Sequence, residues 1–184
     1  MKLWTTRVTM FVGVVFAAVT TFALAAPNKY TVKVPGGLSF SEFKGYESWA
    51  AISMSRNERL VDVIVGNPVM IDAYLAGFPA NGKPVPDGAK MAKIHWTPQQ
   101  NEFSPETTVP GKLLNVDFMV KDSKRFADSG GWGYAVFDYD AVSDAFKPGT
   151  LAGKPPQGND AKCGFTCHSR AKTRDYVFTD YGRR

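Results

Sequence analysis

Short segments in which apolar and polar residues alternate, separated by turn residues, most limit how this chain can fold. Period-two alternation is typical of half-buried β-strands, and clusters of Gly, Pro, Asn and Asp mark the turns between them. The pattern predicts strands at 30–34, 49–54, 60–65, 89–96, 113–120 and 132–139. Helical patterns are few and short, which argues against an alternating βα arrangement. We therefore predict an α+β fold, mainly β, with an antiparallel sheet of five or six strands, short peripheral helices and the cysteine segment at the C-terminal end.

Local signals also predict the helices and loops between these strands. Asn67 followed by Pro68 is a favourable N-cap with proline at the first helical position. Asp122 is expected to cap a second short helix. We predict a polar loop at 97–110 and a loop rich in Gly and Pro at 147–160, which leads into the last segment of the chain.

The segment 162–168, Lys-Cys-Gly-Phe-Thr-Cys-His, contains both cysteines of the chain and one of its two histidines. A cysteine pair that ends in Cys-His is the attachment signature of c-type haem. Cys163 and Cys167 would form thioethers with the porphyrin vinyl groups, and His168 would become an axial iron ligand. The usual motif has two residues between the cysteines, whereas this chain has three. Because residues i and i+4 share a helix face, this spacing can still present both sulfur atoms to one porphyrin edge.

Two other interpretations of this segment stay open on spacing alone. Cys163 and Cys167 could form a local disulfide in an exported protein. A regular helix does not bring their Cβ atoms to the required distance of about 3.5–4.5 Å, although Gly164 could interrupt the helix. Alternatively, two thiolates and the imidazole of His168 would suit copper or zinc.

Residues 1–26 have the pattern of a cleaved secretory signal peptide. Lys2 and Arg7 form a basic start, an apolar core follows at 10–19, and Ala-Leu-Ala at 23–25 offers a small-x-small cleavage site. The apolar run is shorter than the roughly 20 residues that a membrane-spanning helix requires. We therefore expect a periplasmic or secreted protein without a stable membrane span after cleavage. Export also suits covalent haem attachment, which is extracytoplasmic in bacteria.

Residues 27–184 have a length that suits one domain with one core, and no repeat or linker divides them. Removal of the signal would lower the formal net charge from +5 to +3. The remaining charges are interspersed and form no basic stripe. We therefore expect no nucleic-acid partner.

Four blocks of the chain resemble the cytochrome P-460 family, which includes the cytochromes c′-beta. The blocks are Asp87-Gly88 before the strand that contains Lys93, then 120–127, 132–137, and Cys167-His168 with the following 171–179. Their order and spacing agree over most of the mature chain. The resemblance implies one covalent haem c with its iron in a β-rich fold, often a homodimer, with His168 as the proximal ligand. The family usually has two residues between the cysteines, so attachment through Cys167 alone is an alternative to two thioethers.

The resemblance also gives Lys93 a specific role. In hydroxylamine-oxidising members, a lysine at this distance after Asp-Gly forms an additional covalent bond to the porphyrin, and Lys93 matches that position. The alternative is an ordinary solvated lysine on a strand. His95 lies on the same strand face and is a candidate distal base or sixth iron ligand, or else a hydrogen-bonded strand histidine. Asn159 and Asp160, which precede the cysteine motif, are the other polar candidates for the distal side.

Two main functions follow from the resemblance. As an enzyme, the chain would oxidise hydroxylamine toward nitrous oxide or nitrite at an open haem site and pass electrons to an unidentified redox partner protein. As a binding protein, it would take nitric oxide onto the haem without turnover. Plain electron transfer is a third function and would require a filled sixth iron position. The polarity and access of the distal pocket decide among the three.

Overall fold

Six strands form one antiparallel sheet in the part of the chain that the structure describes, which is residues 28–36, 38–152 and 164–184 of a computed structural model. Each strand pairs with the next along the chain. The strands are β1 (Ala50–Arg56), β2 (Val61–Gly66), β3 (Lys90–Gln100), β4 (Thr108–Lys121), β5 (Trp132–Asp140) and β6 (Ala145–Pro148). The predicted fold, mainly β and antiparallel, is confirmed. The predicted signal peptide, together with Asn159, Asp160 and Cys163, lies outside the described residues.

The helices are short. Helix α1 (Pro68–Leu75) follows β2, and α2 (Phe165–His168) belongs to the C-terminal segment. The 3-10 helices are Lys29–Thr31, Phe40–Phe43, Tyr46–Ser48, Ala127–Ser129 and Ser169–Arg174. The predicted start of α1 is confirmed, because the Asn67 side chain accepts a hydrogen bond from the Met70 N–H at 3.1 Å. None of the helices in the described ranges is long and apolar enough to cross a bilayer.

The predicted loop at 97–110 is wrong over most of its length. Strands β3 and β4 stay paired almost to their tips, with Pro98 opposite Pro110, and only 101–107 connects them. The register shifts on both sides of Trp96. Proline cannot donate to a strand ladder, but irregular pairing of this kind accommodates it. Strand β6 likewise takes up the beginning of the predicted loop at 147–160.

The predicted strand at 30–34 is also wrong, because this segment begins as a 3-10 helix. The side chain of Asn28 accepts a hydrogen bond from the Tyr30 N–H at 3.1 Å, and the Thr31 hydroxyl donates to the Asn28 carbonyl at 2.8 Å. Local bonds of this kind satisfy the backbone without a neighbouring strand.

One face of the sheet carries an aromatic core. Phe118 of β4 and Phe137 of β5 point to this face and pack with Phe40 and Phe43 from the segment before β1. The rings of Phe43 and Phe118 are stacked with centroids 4.0 Å apart. Burial of each such ring contributes about 1.5–3 kcal/mol, so this core fixes the sheet and leaves the opposite face for other elements.

The C-terminal segment packs on the opposite face of the sheet. The indole N–H of Trp132 in β5 donates to the Asp175 carbonyl at 2.8 Å, and the Tyr74 hydroxyl of α1 donates to the Thr179 carbonyl at 2.9 Å. Val177 packs in the same core as the side chains of β3, β4 and β5. The cysteine–histidine segment is therefore held against the central strands.

Candidate cofactor site

A cavity of about 300 Å³ lies between the sheet and the C-terminal segment. Strands β2 to β5 supply one wall, which is mainly apolar but includes Lys93 and Asp117. The C-terminal segment supplies Cys167, His168 and Phe178. A concave, mostly apolar cavity with a few convergent polar groups is typical of a cofactor or ligand site.

The imidazole of His168 has one fixed orientation in this cavity. Its Nδ1 lies 2.7 Å from the Tyr176 carbonyl oxygen, and because a carbonyl only accepts, Nδ1 must carry the hydrogen. The neutral ring then has its lone pair on Nε2, as a metal-binding histidine requires. Burial lowers the pKa of His168 and outweighs the hydrogen bond to Tyr176, which acts in the opposite direction. The rings of Tyr134 and Phe178 flank the imidazole with centroids 5.1 Å away.

A buried ion pair holds the turn that supplies this carbonyl. Asp175 and Tyr176 both have left-handed backbone conformations, with φ of +47° and +64°. The Asp175 carboxylate accepts hydrogen bonds from Lys121 Nζ at 2.7 and 2.9 Å and from the Val85 N–H at 2.8 Å. Such strained conformations persist only where the surroundings over-determine them. The sheet therefore positions the Tyr176 carbonyl through Asp175.

Cys167 lies in the same cavity wall, directly before His168 in helix α2. The helix begins after Gly164, whose carbonyl accepts the N–H groups of Cys167 and His168 at 3.1 Å each. Cys167 and His168 are therefore neighbours that both line the cavity. The predicted helix face shared by Cys163 and Cys167 is not tested, because Cys163 lies outside the described residues.

Lys93 projects from β3 into the same cavity wall. Its ammonium nitrogen lies 3.2 Å from Oδ2 of Asp62, and its side chain is 31% exposed. The structure therefore brings together three of the sequence-predicted residues, Lys93, Cys167 and His168, from distant parts of the chain.

His95 lies outside the set of described residues that line the cavity, and it is buried between two carboxylates. Its Nε2 is 3.1 Å from Oδ2 of Asp117, which does line the cavity. Its Nδ1 is 2.8 Å from Oδ1 of Asp62, an ion-pair distance at which the N–H does not point along a hydrogen-bond direction. Burial lowers the pKa of His95, but the hydrogen bond to Asp117 and the charges of both carboxylates outweigh it, so the pKa is raised overall.

Asp62 and Asp117 were missed by sequence reasoning. Asp62 is opposite His95 in the β2–β3 pairing, and Asp117 is opposite Lys93 in the β3–β4 pairing. Period-two alternation assigns each aspartate to a strand face. Only the register between strands shows that the two aspartates meet the side chains of Lys93 and His95.

The Asp-Gly block singled out in the sequence has a structural role. Asp87 accepts hydrogen bonds from the backbone N–H of Ser123 at 2.9 Å and from its hydroxyl at 2.7 Å. These bonds, the hydroxyl contact first, lower the pKa of Asp87. Gly88 follows with φ of +89°, a conformation that favours glycine, and its N–H donates to the Lys121 carbonyl at 2.8 Å. The block therefore ties the beginning of β3 to the end of β4.

An apolar cavity with a cysteine beside an imidazole whose Nε2 is available fits a c-type haem on a β-sheet scaffold. The sequence model of the family described as Cytochrome P460 matches residues 43–179, which is most of the chain. The chain belongs to the cytochrome P-460 family, as the resemblance predicted. Members are haem c proteins, so the cofactor is haem c with its iron, and the family is generally exported. A search of curated proteins found no match.

Proposed function

We propose that this monohaem c-type cytochrome is exported to the periplasm and oxidises hydroxylamine toward nitrous oxide or nitrite. The observation that carries the proposal is the position of Lys93 and the Asp117 carboxylate in the wall of the cavity that His168 lines. Lys93 is the residue that resembles the cross-linking lysine of the hydroxylamine-oxidising members. Asp117 supplies what the reaction also needs, which is a proton acceptor.

The stoichiometry explains this need. Two molecules of hydroxylamine yield nitrous oxide and water with release of four protons and four electrons. One molecule of hydroxylamine and one of water yield nitrite with five protons and four electrons. The electrons must leave to a redox partner protein that accepts them one at a time, and the protons must leave through protein groups or water. A carboxylate in the cavity is the type of group that accepts such protons.

In this proposal each residue has a defined role. His168 binds the iron through Nε2, and the Tyr176 carbonyl holds its orientation. Cys167 forms a thioether, and Cys163, outside the described residues, forms the second. Lys93 forms the additional bond to the porphyrin, and Asp117 accepts protons. The haem, when bound, supplies the site that holds the reacting nitrogen atom and takes its electrons.

A second candidate function is non-catalytic binding of nitric oxide. The apolar part of the cavity wall favours it, since Met91, Met119, Val136 and Val177 surround the polar groups and suit a small uncharged ligand. Electron transfer has less support because the candidate sixth ligand, His95, has carboxylate oxygens close to both ring nitrogens.

Steady-state oxidation of hydroxylamine with an artificial electron acceptor tests the proposal. We expect turnover by the haem-loaded protein, loss of turnover in Lys93→Met, and unchanged turnover in Lys112→Met. The control removes an exposed lysine of β4 that does not line the cavity. A fully haem-loaded protein that binds nitric oxide but does not oxidise hydroxylamine would contradict the enzyme function and support the binding function.

Two further parts of the proposal concern the cell and the assembly. Fractionation of the expressing bacterium should place the mature protein in the periplasm, with a mass that corresponds to cleavage near residue 26. Light scattering of the holoprotein should give twice the mass of one chain if it forms the homodimer that the resemblance implies.

A further inference from the structure

Asp62, His95 and Asp117 form a cluster of ionisable side chains beside the cavity, and their burial has a free-energy cost. His95 and Asp62 are 5% and 3% exposed, and Asp117 has its carboxylate against the same imidazole. Burial of a charged group costs several kcal/mol unless it is paired. Lys93 pairs with Oδ2 of Asp62 at 3.2 Å, but Oδ1 of Asp62, which faces His95, is buried without an aligned hydrogen bond among the described residues. A purely structural ion network leaves this acceptor unexplained.

The three side chains lie in a line across three neighbouring strands, on the face of the sheet that forms the cavity wall. Asp117 of β4 is at the cavity, His95 of β3 is in the middle, and Asp62 of β2 is on the far side. The line continues to the exposed edge strand β1, because the Ser55 hydroxyl donates to Oδ2 of Asp62 at 3.1 Å. It therefore connects the cavity with the protein surface.

The hydrogen bonds around these three side chains place the His95 imidazole between one oxygen of each carboxylate, where it can carry a proton from one to the other. Oδ1 of Asp117 is already occupied by the Asn115 amide at 2.6 Å, so its Oδ2 faces His95. Oδ1 of Asp62 is buried, accepts no aligned hydrogen bond within the described residues, and lies 2.8 Å from Nδ1. A small rotation of the imidazole would align this contact and make Oδ1 the acceptor of a proton from Nδ1.

We propose that Asp117, His95 and Asp62 form a proton-transfer path between the haem cavity and the surface at Ser55. The path begins with His95 neutral and its hydrogen on Nδ1. A proton released in the cavity binds to Asp117 and passes from its Oδ2 to Nε2 of His95, which forms the cation that both carboxylates stabilise. Nδ1 of His95 releases its own proton to Oδ1 of Asp62, from which it leaves past Ser55 to water. One O–H or N–H bond breaks for each that forms, and a return of the imidazole to its starting tautomer completes the transfer.

This path deepens the proposed oxidation, which releases protons, but it needs only a change of charge on the haem. The charged groups that act on His95 are Asp117 and Asp62, which favour its protonated form, and Lys93, which opposes it. Reduction of the iron adds negative charge to the cavity and favours protonation along the path. The midpoint potential should therefore fall as the pH rises through the titration of His95, above about 6.5.

The test is the midpoint potential of the holoprotein as a function of pH in wild type, His95→Gln, Asp62→Asn and Asp138→Asn. Glutamine keeps hydrogen-bonding groups near both carboxylates but cannot relay a proton. We expect the pH dependence above about 6.5 to flatten in the first two variants. Asp138→Asn is the matched control, because Asp138 is on the same sheet face but outside the path. It should shift the potential without a change in its pH dependence.

Parallel pH dependences in wild type, His95→Gln and Asp62→Asn would overturn the path and leave a structural ion network. If His95→Gln does not fold, Asp62→Asn and Ser55→Ala decide, since neither changes the shape of the core appreciably. In the turnover assay we expect His95→Gln to slow hydroxylamine oxidation by roughly 100-fold, a typical contribution of general acid–base catalysis. If wild type shows no turnover, the proposed oxidation fails, whereas the potential measurement still decides whether the path exists.

Discussion

The two histidines of the chain lie at opposite sides of the same site, and their pKa values are shifted in opposite directions. His168, at the C-terminal segment, bonds to one backbone carbonyl and has a lowered pKa. His95, on the strand wall, lies between two carboxylates and has a raised pKa. Burial favours the neutral ring in both cases.

The hydrogen-bonding partners, rather than burial, therefore decide what each histidine can do. A carbonyl partner fixes the tautomer and leaves a neutral nitrogen for a metal ion. Two carboxylate partners stabilise the cation and give it two positions for a proton.

The largest effect is expected from the same substitution at the two histidines. In the proposed site His168 holds the iron, so His168→Gln should remove this ligand and reduce turnover by more than the roughly 10–100-fold that loss of an outer-shell partner costs. His95→Gln should keep the absorption and electron paramagnetic resonance spectra of the ligated iron. Identical spectra in wild type and His168→Gln would contradict the role of His168.

The second-largest effect is expected at the ion pair of Lys121 and Asp175, which holds the C-terminal segment on the sheet. Lys121→Met leaves the Asp175 carboxylate, which is only 14% exposed, without its cation, and loss of one partner of a buried pair costs up to about 3–5 kcal/mol. The free energy of unfolding from urea titration should fall by this amount, and the spectrum of the haem should shift as the Tyr176 carbonyl moves.

The control for this prediction is a surface ion pair of the same segment. Arg174→Ala breaks the contact with Asp180, whose side chain is 77% exposed, and should cost less than about 1 kcal/mol without a spectral change. Equal losses of stability in both variants would show that the buried pair has no special role.

A smaller effect is expected where the Tyr176 ring packs on a glycine. Gly130 has φ of +68°, and an added Cβ would lie 2.2 Å from the ring of Tyr176. Gly130→Ala should therefore displace Tyr176 and add backbone strain of about 1–3 kcal/mol. Thermal unfolding and the haem spectrum measure the two consequences. Gly82→Ala has the same positive φ with no atom near the new Cβ, so it should reproduce the strain without the spectral shift.

The smallest effect is the pH dependence of stability. Because the folded protein raises the pKa of His95, its stabilisation is fully present below the ordinary histidine pKa of about 6.5. It is lost as the pH rises through the raised value. Urea unfolding over this range should show a decline in wild type that His95→Gln lacks. A decline of the same size in both proteins would contradict the cationic state of His95.

The sequence predicted what depends on local pattern. Alternation identified β2 and β5 nearly to the residue, and Asn67 marked the start of α1, because period-two faces and helix caps are local properties. The prolines at 98 and 110 misled the prediction, since their effect depends on where the partner strand places its hydrogen bonds. The predicted strand at 30–34 was wrong for a related reason, because Asn28 forms hydrogen bonds to its own neighbours that stabilise a 3-10 helix.

In the candidate site, too, the sequence predicted the local features and not those that depend on tertiary structure. The Cys-His pair was visible in the sequence, and the resemblance singled out Lys93; their meeting in one cavity follows from the packing of the C-terminal segment on the sheet. Asp62 and Asp117 were not predicted, because their meeting with His95 depends on the register of three strands. The turn at Asp175 and Tyr176 was not predicted either, since only the buried Lys121 and Trp132 make its conformation stable.

Peptide mapping of the purified holoprotein by mass spectrometry shows which residues are covalently joined to the haem. We expect haem on the peptide that contains Cys167, joined by a further covalent bond to the peptide that contains Lys93. A secreted, well-folded and colourless protein in which Cys163 and Cys167 are joined to each other would contradict it.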